Sequence, residues 1–271
     1  MFLNFFKPKK KYTLGYFCTA LVWHCNLNCR YCDHFSPLAD KKFFEINKLK
    51  KDFKQINKFF NVQSIGLMGG EPLLHPDLPS ILDMTRKIFP NTYLMLFTNG
   101  ILLDKQEENF WRACSINKIV IRITRYKIKI NEPLIFQKAK KYGVRIEWEG
   151  IRDGEYKKMH KIALDLEGNQ IPGEMYNACW HRKICSYFED GKFYLCPIAG
   201  NIQHFNRYFN KKLELTKNDF LDIYKIKNIE QIEKYFSSSI DFCRYCNVYE
   251  EKDNLNFEIS KKDINDWCMG V

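Results

Sequence analysis

LGYFCTALVWHCNLNCRYC, residues 14–32, opens on an apolar, β-prone run from Leu14 to Val22 and passes at once into Cys25, Cys29 and Cys32. A strand that ends in a cysteine-bearing loop points to a site at the end of a sheet. Ile46, Leu49, Phe53, Ile56 and Phe60 recur at steps of three and four, which predicts an amphipathic helix over 41–60 with lysines outside. Residues 64–68 predict a strand that stops at Gly69-Gly70. Leu78, Ile81, Leu82 and Ile88 mark a second helix, and 92–97 a strand that stops at Thr98-Asn99-Gly100. The alternation continues with a helix over 107–114, a strand over 119–124, a helix over 133–142 capped by Gly143, and strands over 144–148 and 162–166.

Strand–helix repetition of this kind predicts an α/β fold, a parallel sheet or a (β/α) barrel, with the active site at the carboxyl ends of the strands. The cysteine loop, the Gly69-Gly70-Glu71-Pro72 turn and the Thr98-Asn99-Gly100 turn all fall at that end. After about residue 168 the rhythm stops and cysteines become frequent. Asp190-Gly191 predicts a hairpin turn, and Asn228 an N-cap for a helix over 229–236. The chain divides into an N-terminal tail over 1–13, a barrel over 14–168 and a small cysteine-rich domain over 169–271.

Of the 271 residues, 45% are hydrophobic and 15% aromatic, enough for a packed core and too many for a disordered chain. No apolar run is long enough to predict a transmembrane helix. The N-terminus is apolar first and basic second, the reverse of a signal peptide, so a cytoplasmic location is expected. The net charge of +11 comes mostly from scattered lysines, as a solvated surface would give; attraction to an anionic partner is the alternative. Without an arginine-rich block, no nucleic-acid partner is expected. Eleven cysteines, an odd number, with no secretion signal argue against a disulfide framework.

Three thiolates on one short loop can bind three irons of a 4Fe–4S cube and leave the fourth iron open to a small molecule. Zinc is the competing occupant, with His24 and His34 flanking the group. The CxxxCxxC run with Tyr31 before its last cysteine resembles the hallmark of the radical S-adenosylmethionine (SAM) superfamily. Gly69-Gly70-Glu71-Pro72 resembles that family's GGEP motif, in which backbone and glutamate meet the amino group of SAM. Thr98 and Asn99 stand where the family places polar contacts to SAM, and Arg125 is the candidate for its carboxylate. The resemblance covers residues 14–150. It implies a partial (β/α)6 barrel, a 4Fe–4S cluster with an open iron held by Cys25, Cys29 and Cys32, and SAM as cofactor.

Cys179, Cys185 and Cys196 precede Cys243-Arg-Tyr-Cys246, and Gly191 stands before Cys196 as G-x4-C. This resembles the twitch or SPASM auxiliary-cluster region and implies one auxiliary 4Fe–4S cluster. Five cysteines compete for four positions, and the choice between Cys179 and Cys185 stays open; a zinc site is the alternative occupant. Cys18 and Cys114 read as ordinary buried cysteines, and Cys268 as a free thiol.

The resemblance further implies reductive cleavage of SAM to a 5′-deoxyadenosyl radical, hydrogen abstraction from a small polar or anionic substrate, and an electron donor of flavodoxin or ferredoxin type. A closer resemblance, carried by the stretch from Cys32 to Ala39, by 191–197 and by 242–246, is to small radical SAM proteins of bacterial surface-polysaccharide gene groups. It suggests a sugar-derived substrate. Glu147 and Glu149, on one face of the fifth strand with Arg145, and Arg152 beyond it are the candidate catalytic side chains. A peptide-maturing radical enzyme is the rival, lowered because no leader-binding domain fits ahead of the first strand. A non-catalytic iron–sulfur or zinc redox module is the rival of another class.

Overall fold

The computed structural model describes residues 10–149, 155–183 and 186–269. Its sheet is built around β1 (Tyr12–Val22), which begins inside the stretch read as tail. Phe17, Leu21 and Val22 are fully buried, because both faces of the strand are covered; a strand so placed reads as continuously apolar. Residues 42–44 run beside β1, with Phe44 N–H donating to Leu21 O at 3.0 Å, so the first helix starts later than its periodicity suggests. That helix, α1 (Ile46–Phe59), buries Leu49, Phe53 and Ile56. It leads into β2 (Phe60–Gly69), parallel to β1 from Tyr12 opposite Phe60 to Val22 opposite Gly69.

The same unit repeats through α2 (Leu78–Ile88), β3 (Tyr93–Thr98), α3 (Glu108–Ile116), β4 (Val120–Thr124), α4 (Glu132–Tyr142) and β5 (Ile146–Glu149), every strand parallel to the last. Gly143 ends α4 in the left-handed conformation, φ 66°, as the sequence predicts.

Beyond β5 the order departs from expectation. Residues 162–166 do not supply a sixth strand of the main sheet. Instead β6 (Met159–Lys161) opens a small second sheet, and Leu164 bridges to Cys246 and Cys268. After α5 (Pro172–Ala178) come β7 (Tyr187–Glu189) and β8 (Lys192–Tyr194), joined by the predicted Asp190-Gly191 turn with both residues at positive φ. The sixth parallel strand is β7, laid against the free edge of β1 with Cys18 opposite Tyr187. Next come α6 (Pro197–Phe209), β9 (Phe220–Asp222), α7 (Ile229–Ser237), capped by Asn228, and β10 (Lys252–Leu255), which pairs antiparallel with β6.

The main sheet therefore runs β5-β4-β3-β2-β1-β7-β8-β9, a mostly parallel α/β sheet as expected of a partial barrel. One core crosses the composition boundary near 168: Phe193 of β8 packs on Phe17 at 5.3 Å and on Phe60 at 5.1 Å between ring centroids. Among the described residues no helix is long and apolar enough to cross a membrane.

Candidate active site

The cysteine loop follows β1 at the carboxyl ends of the parallel strands. Cys25, Cys29 and Cys32 line a cavity of about 360 Å3 together with Tyr31, Gly69, Gly70, Glu71, Thr98 and Asn99. The three motifs thus meet in one place. Burial, reinforced by Glu71 and Cys32, pushes the Cys25 thiol up to about 12. Burial pushes Cys32 up to about 11, and Cys29, crowded by the other two, is raised as well. Such thiols keep their protons until a metal replaces them. Among the described residues no three His, Cys, Asp or Glu side chains converge on a single-ion position. The cysteines border open space, and three soft thiolates around a space fit an iron–sulfur cube with one iron left for another ligand.

The need for Gly69 and Gly70 is structural in a way the sequence does not reveal. A Cβ on Gly69, which sits at φ 141°, would lie 2.2 Å from Val22 O, and one on Gly70 would lie 2.0 Å from His24 O. The end of β2 is pressed against the end of β1, with Gly70 N–H donating to Val22 O at 2.8 Å and Glu71 N–H to His24 O at 3.1 Å. The glycines admit the neighbouring backbone before they admit any ligand.

Glu71 is 1% exposed and ties the two turns together. Its Oε1 accepts from Leu73 N–H at 3.1 Å and from the Thr98 hydroxyl at 2.7 Å; its Oε2 accepts from Asn99 N–H at 2.9 Å. A carboxylate has about four lone-pair sites, so room for one more donor remains. Burial outweighs these three donors and pushes its carboxyl up to about 7. The Asn99 amide donates to Asn26 Oδ1 at 2.8 Å, joining the second turn to the cysteine loop. Pro72 is buried, starts a short 3-10 turn and is not among the residues that line the cavity.

Arg125 does not line this cavity. Its guanidinium lies over Trp148 at 4.7 Å and Tyr156 at 5.6 Å, and pairs with Glu132 at 3.4 Å. It borders a smaller adjoining cavity that shares Asn99, Thr124 and Tyr126 with the main one. Glu147 pairs with Arg145 at 2.5 Å and with Arg122 at 3.5 Å, so it serves the strand pair. Glu149 pairs with Arg122 at 2.8 Å and does line the cavity. Arg152 lies outside the described residues.

The same cavity is also lined by Asp33, His34, Lys157, His160 and His181, with Trp180 beside them. His34 Nδ1 donates to Asp33 Oδ1 at 2.8 Å. Burial raises the Asp33 carboxyl, but His34, His181 and Lys157 outweigh it and hold the group below the usual carboxylate range. Asp33 and His34 directly follow Cys32, a signal available in the sequence; Lys157, His160 and His181 have none. His181 is 4% exposed, and neither ring nitrogen has a partner among the described residues.

Cys179, Cys196, Cys243 and Cys246 line a second cavity, walled by Met175, Leu195, Ile198, Ile240 and Phe242. Burial raises all four thiols, Cys243 to about 12. Cys179 therefore stands with the other three, while Cys185 lies outside the described residues. His181 lines this cavity too. Cys18, Cys114 and Cys268 are buried, at 4%, 0% and 1% exposure, and Cys18 also lines the first cavity.

Residues 24–134 match the family model described as Radical SAM superfamily. A protein of Methanocaldococcus jannaschii, named for activating a glycyl-radical enzyme, is 34% identical over 93 residues, which cover 33% of this chain and 35% of that one. GTP 3',8-cyclase of Trichodesmium erythraeum is 23% identical over 257 residues, 87% of this chain and 77% of the cyclase. The chain thus spans about a third of the length of the first relative. The crystal structure of BtrN in complex with AdoMet and 2-DOIA matches at a TM-score of 0.50 and 16% identity, over 89% of this chain and 95% of that one, a likeness of fold.

Proposed function

Residues 24–134 match the Radical SAM superfamily model, and on that ground we propose that the protein is an enzyme that cleaves AdoMet reductively and abstracts a hydrogen atom from a small polar substrate. The observation that carries this reading is the meeting of Cys25, Cys29 and Cys32 with the Gly70-Glu71 and Thr98-Asn99 turns on one cavity. Cys25, Cys29 and Cys32 would hold a 4Fe–4S cluster, which when bound with AdoMet supplies one electron and a strong hydrogen-atom abstractor.

The chain's own side chains do the rest. Glu71 holds the two turns closed and offers its remaining acceptor site to the ammonium of AdoMet, a charge-assisted bond in a dry setting. Asn99, fixed by Asn26, stands beside Cys25. Asp33, His34, Lys157, His160 and Glu149 put both donors and acceptors on the cavity lining, which suits a hydroxylated, sugar-derived molecule better than an apolar one. Trp180, 45% exposed, gives that molecule an aromatic plate at the rim.

An auxiliary 4Fe–4S cluster on Cys179, Cys196, Cys243 and Cys246 belongs to this reading, supported by four thiols around one apolar cavity. His181, on the wall of both cavities, is where substrate and second cluster come into reach of each other. A small acidic electron-transfer protein of flavodoxin or ferredoxin type fits the net charge of +11. The test is anaerobic reconstitution followed by iron and sulfide analysis and by 5′-deoxyadenosine formation with dithionite. About eight irons per chain and 5′-deoxyadenosine are expected. A folded, iron-loaded protein that forms none would overturn the reading.

A further inference from the structure

We infer that residues 256–269 form a strap that sets the shape of the first cysteine loop, and that Asp266 is its positioning residue, acting through Arg30. The inference rests on the reading that this loop holds the AdoMet-binding cluster.

The strap meets the loop along its backbone. Arg30 N–H donates to Glu258 O at 2.9 Å and Ser260 N–H to Asn28 O at 2.8 Å, which places Cys29 opposite Ile259 in a short antiparallel bridge. The Arg30 side chain then leaves the loop for the strap. Its Nε donates to Asp266 Oδ1 at 2.6 Å and its Nη1 to Glu258 Oε2 at 2.5 Å. Asp266 is 2% exposed, and its second oxygen accepts from the Ser260 hydroxyl at 2.7 Å. The next residue, Trp267, is fully buried and donates from Nε1 to Cys32 O at 2.9 Å. Two of the three cysteines are therefore held from behind, Cys29 by the bridge and Cys32 by the indole.

The strap has its own anchor. Leu164 N–H donates to Trp267 O at 2.8 Å and Met269 N–H to Leu164 O at 3.1 Å, while the Trp267 ring packs on Phe35 at 5.8 Å and Phe209 at 6.1 Å between centroids. Apart from Arg30 and Phe35, none of these side chains belongs to the motifs of the site. Their combined effect bears on it directly: three thiolates repel one another, and a loop already held in shape loses little conformational freedom when iron binds. Asp266 lies at the centre because it is buried, charged and shared between the loop and the strap, and charge-assisted bonds to a buried carboxylate are the strong ones.

The test uses the full chain, reconstituted anaerobically, as wild type, Asp266→Ala and Arg30→Gln. Arg30 is about one-third exposed (34%), so its replacement keeps the fold if the first variant does not. Two readouts separate the sites: the change that added AdoMet makes in the electron paramagnetic resonance spectrum, which reports the open cluster alone, and the chelator concentration that removes half of each cluster's signal. In both variants the AdoMet-responsive cluster should yield to about tenfold less chelator, as the loss of one charge-assisted bond implies, with the second cluster unchanged. Wild-type retention in a folded Arg30→Gln overturns the inference, as does equal loss of both clusters. A wild-type protein with no AdoMet-responsive signal would instead refute the function on which the inference rests.

Discussion

Replacing Glu71 by Gln changes one atom and disturbs three hydrogen bonds. In the wild type, Leu73 N–H and the Thr98 hydroxyl donate to one carboxylate oxygen and Asn99 N–H to the other. The amide of Gln must turn an NH2 group toward one of these sets of donors. If its oxygen stays with Leu73 and Thr98, the NH2 faces Asn99 N–H, and two donors oppose each other where the side chain is 1% exposed. One buried donor left without an acceptor costs about 1–3 kcal/mol, and the weakening of two formerly charge-assisted bonds brings the total to on the order of 3 kcal/mol. At about 2–4 °C per kcal/mol for a chain of this size, the melting temperature should fall by roughly 6–12 °C. The cluster should still assemble, since no cysteine changes, and AdoMet should bind about tenfold more weakly for want of one charged partner. Thermal melts and an AdoMet titration of the reconstituted variant separate the two roles. An unchanged melting temperature would refute the hydrogen-bond accounting. A lowered melting temperature with wild-type AdoMet affinity would refute the ammonium contact and leave Glu71 a brace between turns.

The same residue predicts a pH dependence. In the metal-free chain the folded Glu71 keeps a proton up to about pH 7 that the unfolded chain gives up near its ordinary value of 4.5. Between those values the folded state binds more protons, so stability falls as pH rises, by roughly 3 kcal/mol at most; urea titrations at pH 5 and 7.5 should show a smaller difference in Glu71→Gln than in wild type. Cys29→Ala should abolish 5′-deoxyadenosine formation, whereas Cys243→Ala should spare it and lower the iron content from about eight to about four per chain; equal loss in two folded variants would contradict the division between the sites. Gly70→Ala drives a Cβ to 2.0 Å from His24 O and should destabilise by at least about 1–3 kcal/mol, while Gly173→Ala, with open space in α5, should be neutral or stabilise by about 0.5–1 kcal/mol, both read by denaturant midpoint.

Features that depend on neighbours in the chain are legible in the sequence. The Asp190-Gly191 turn, the Gly143 cap and the Asn228 cap each arise from local backbone chemistry, and each is present. The three motifs can be assigned to one end of the sheet because strand ends alternate predictably in a parallel α/β fold. Side-chain partners across the fold are not legible in this way. Position alone matches Arg125 to a ligand, but Trp148, Tyr156 and Glu132 surround it. Residues 162–166 are apolar enough for a strand of the main sheet, yet hydrogen bonds to Tyr245, Asn247 and Trp267 take them elsewhere. Asp266 carries no signal in sequence, because its partner Arg30 is 236 residues away. The part of the cavity lined by His160, His181 and Lys157 escapes for the same reason: two separate segments meet there, and neither carries a motif.

The placement of β7 beside β1 has a consequence for the chain as it is made. One edge of β1 is covered early by β2 and the end of the other by residues 42–44, but the middle of that second edge must wait for a strand whose first bonded residue, Ser186, is synthesised 168 residues after Cys18. At about 5–20 residues per second, that edge stays open on the ribosome for roughly 10–30 s. Throughout that interval it presents unpaired amides in a long, largely apolar strand, the kind of template that recruits other chains. Expression of the chain cut before β7 should accordingly favour aggregates, and slowing synthesis between β5 and β7 should lengthen its dependence on chaperones.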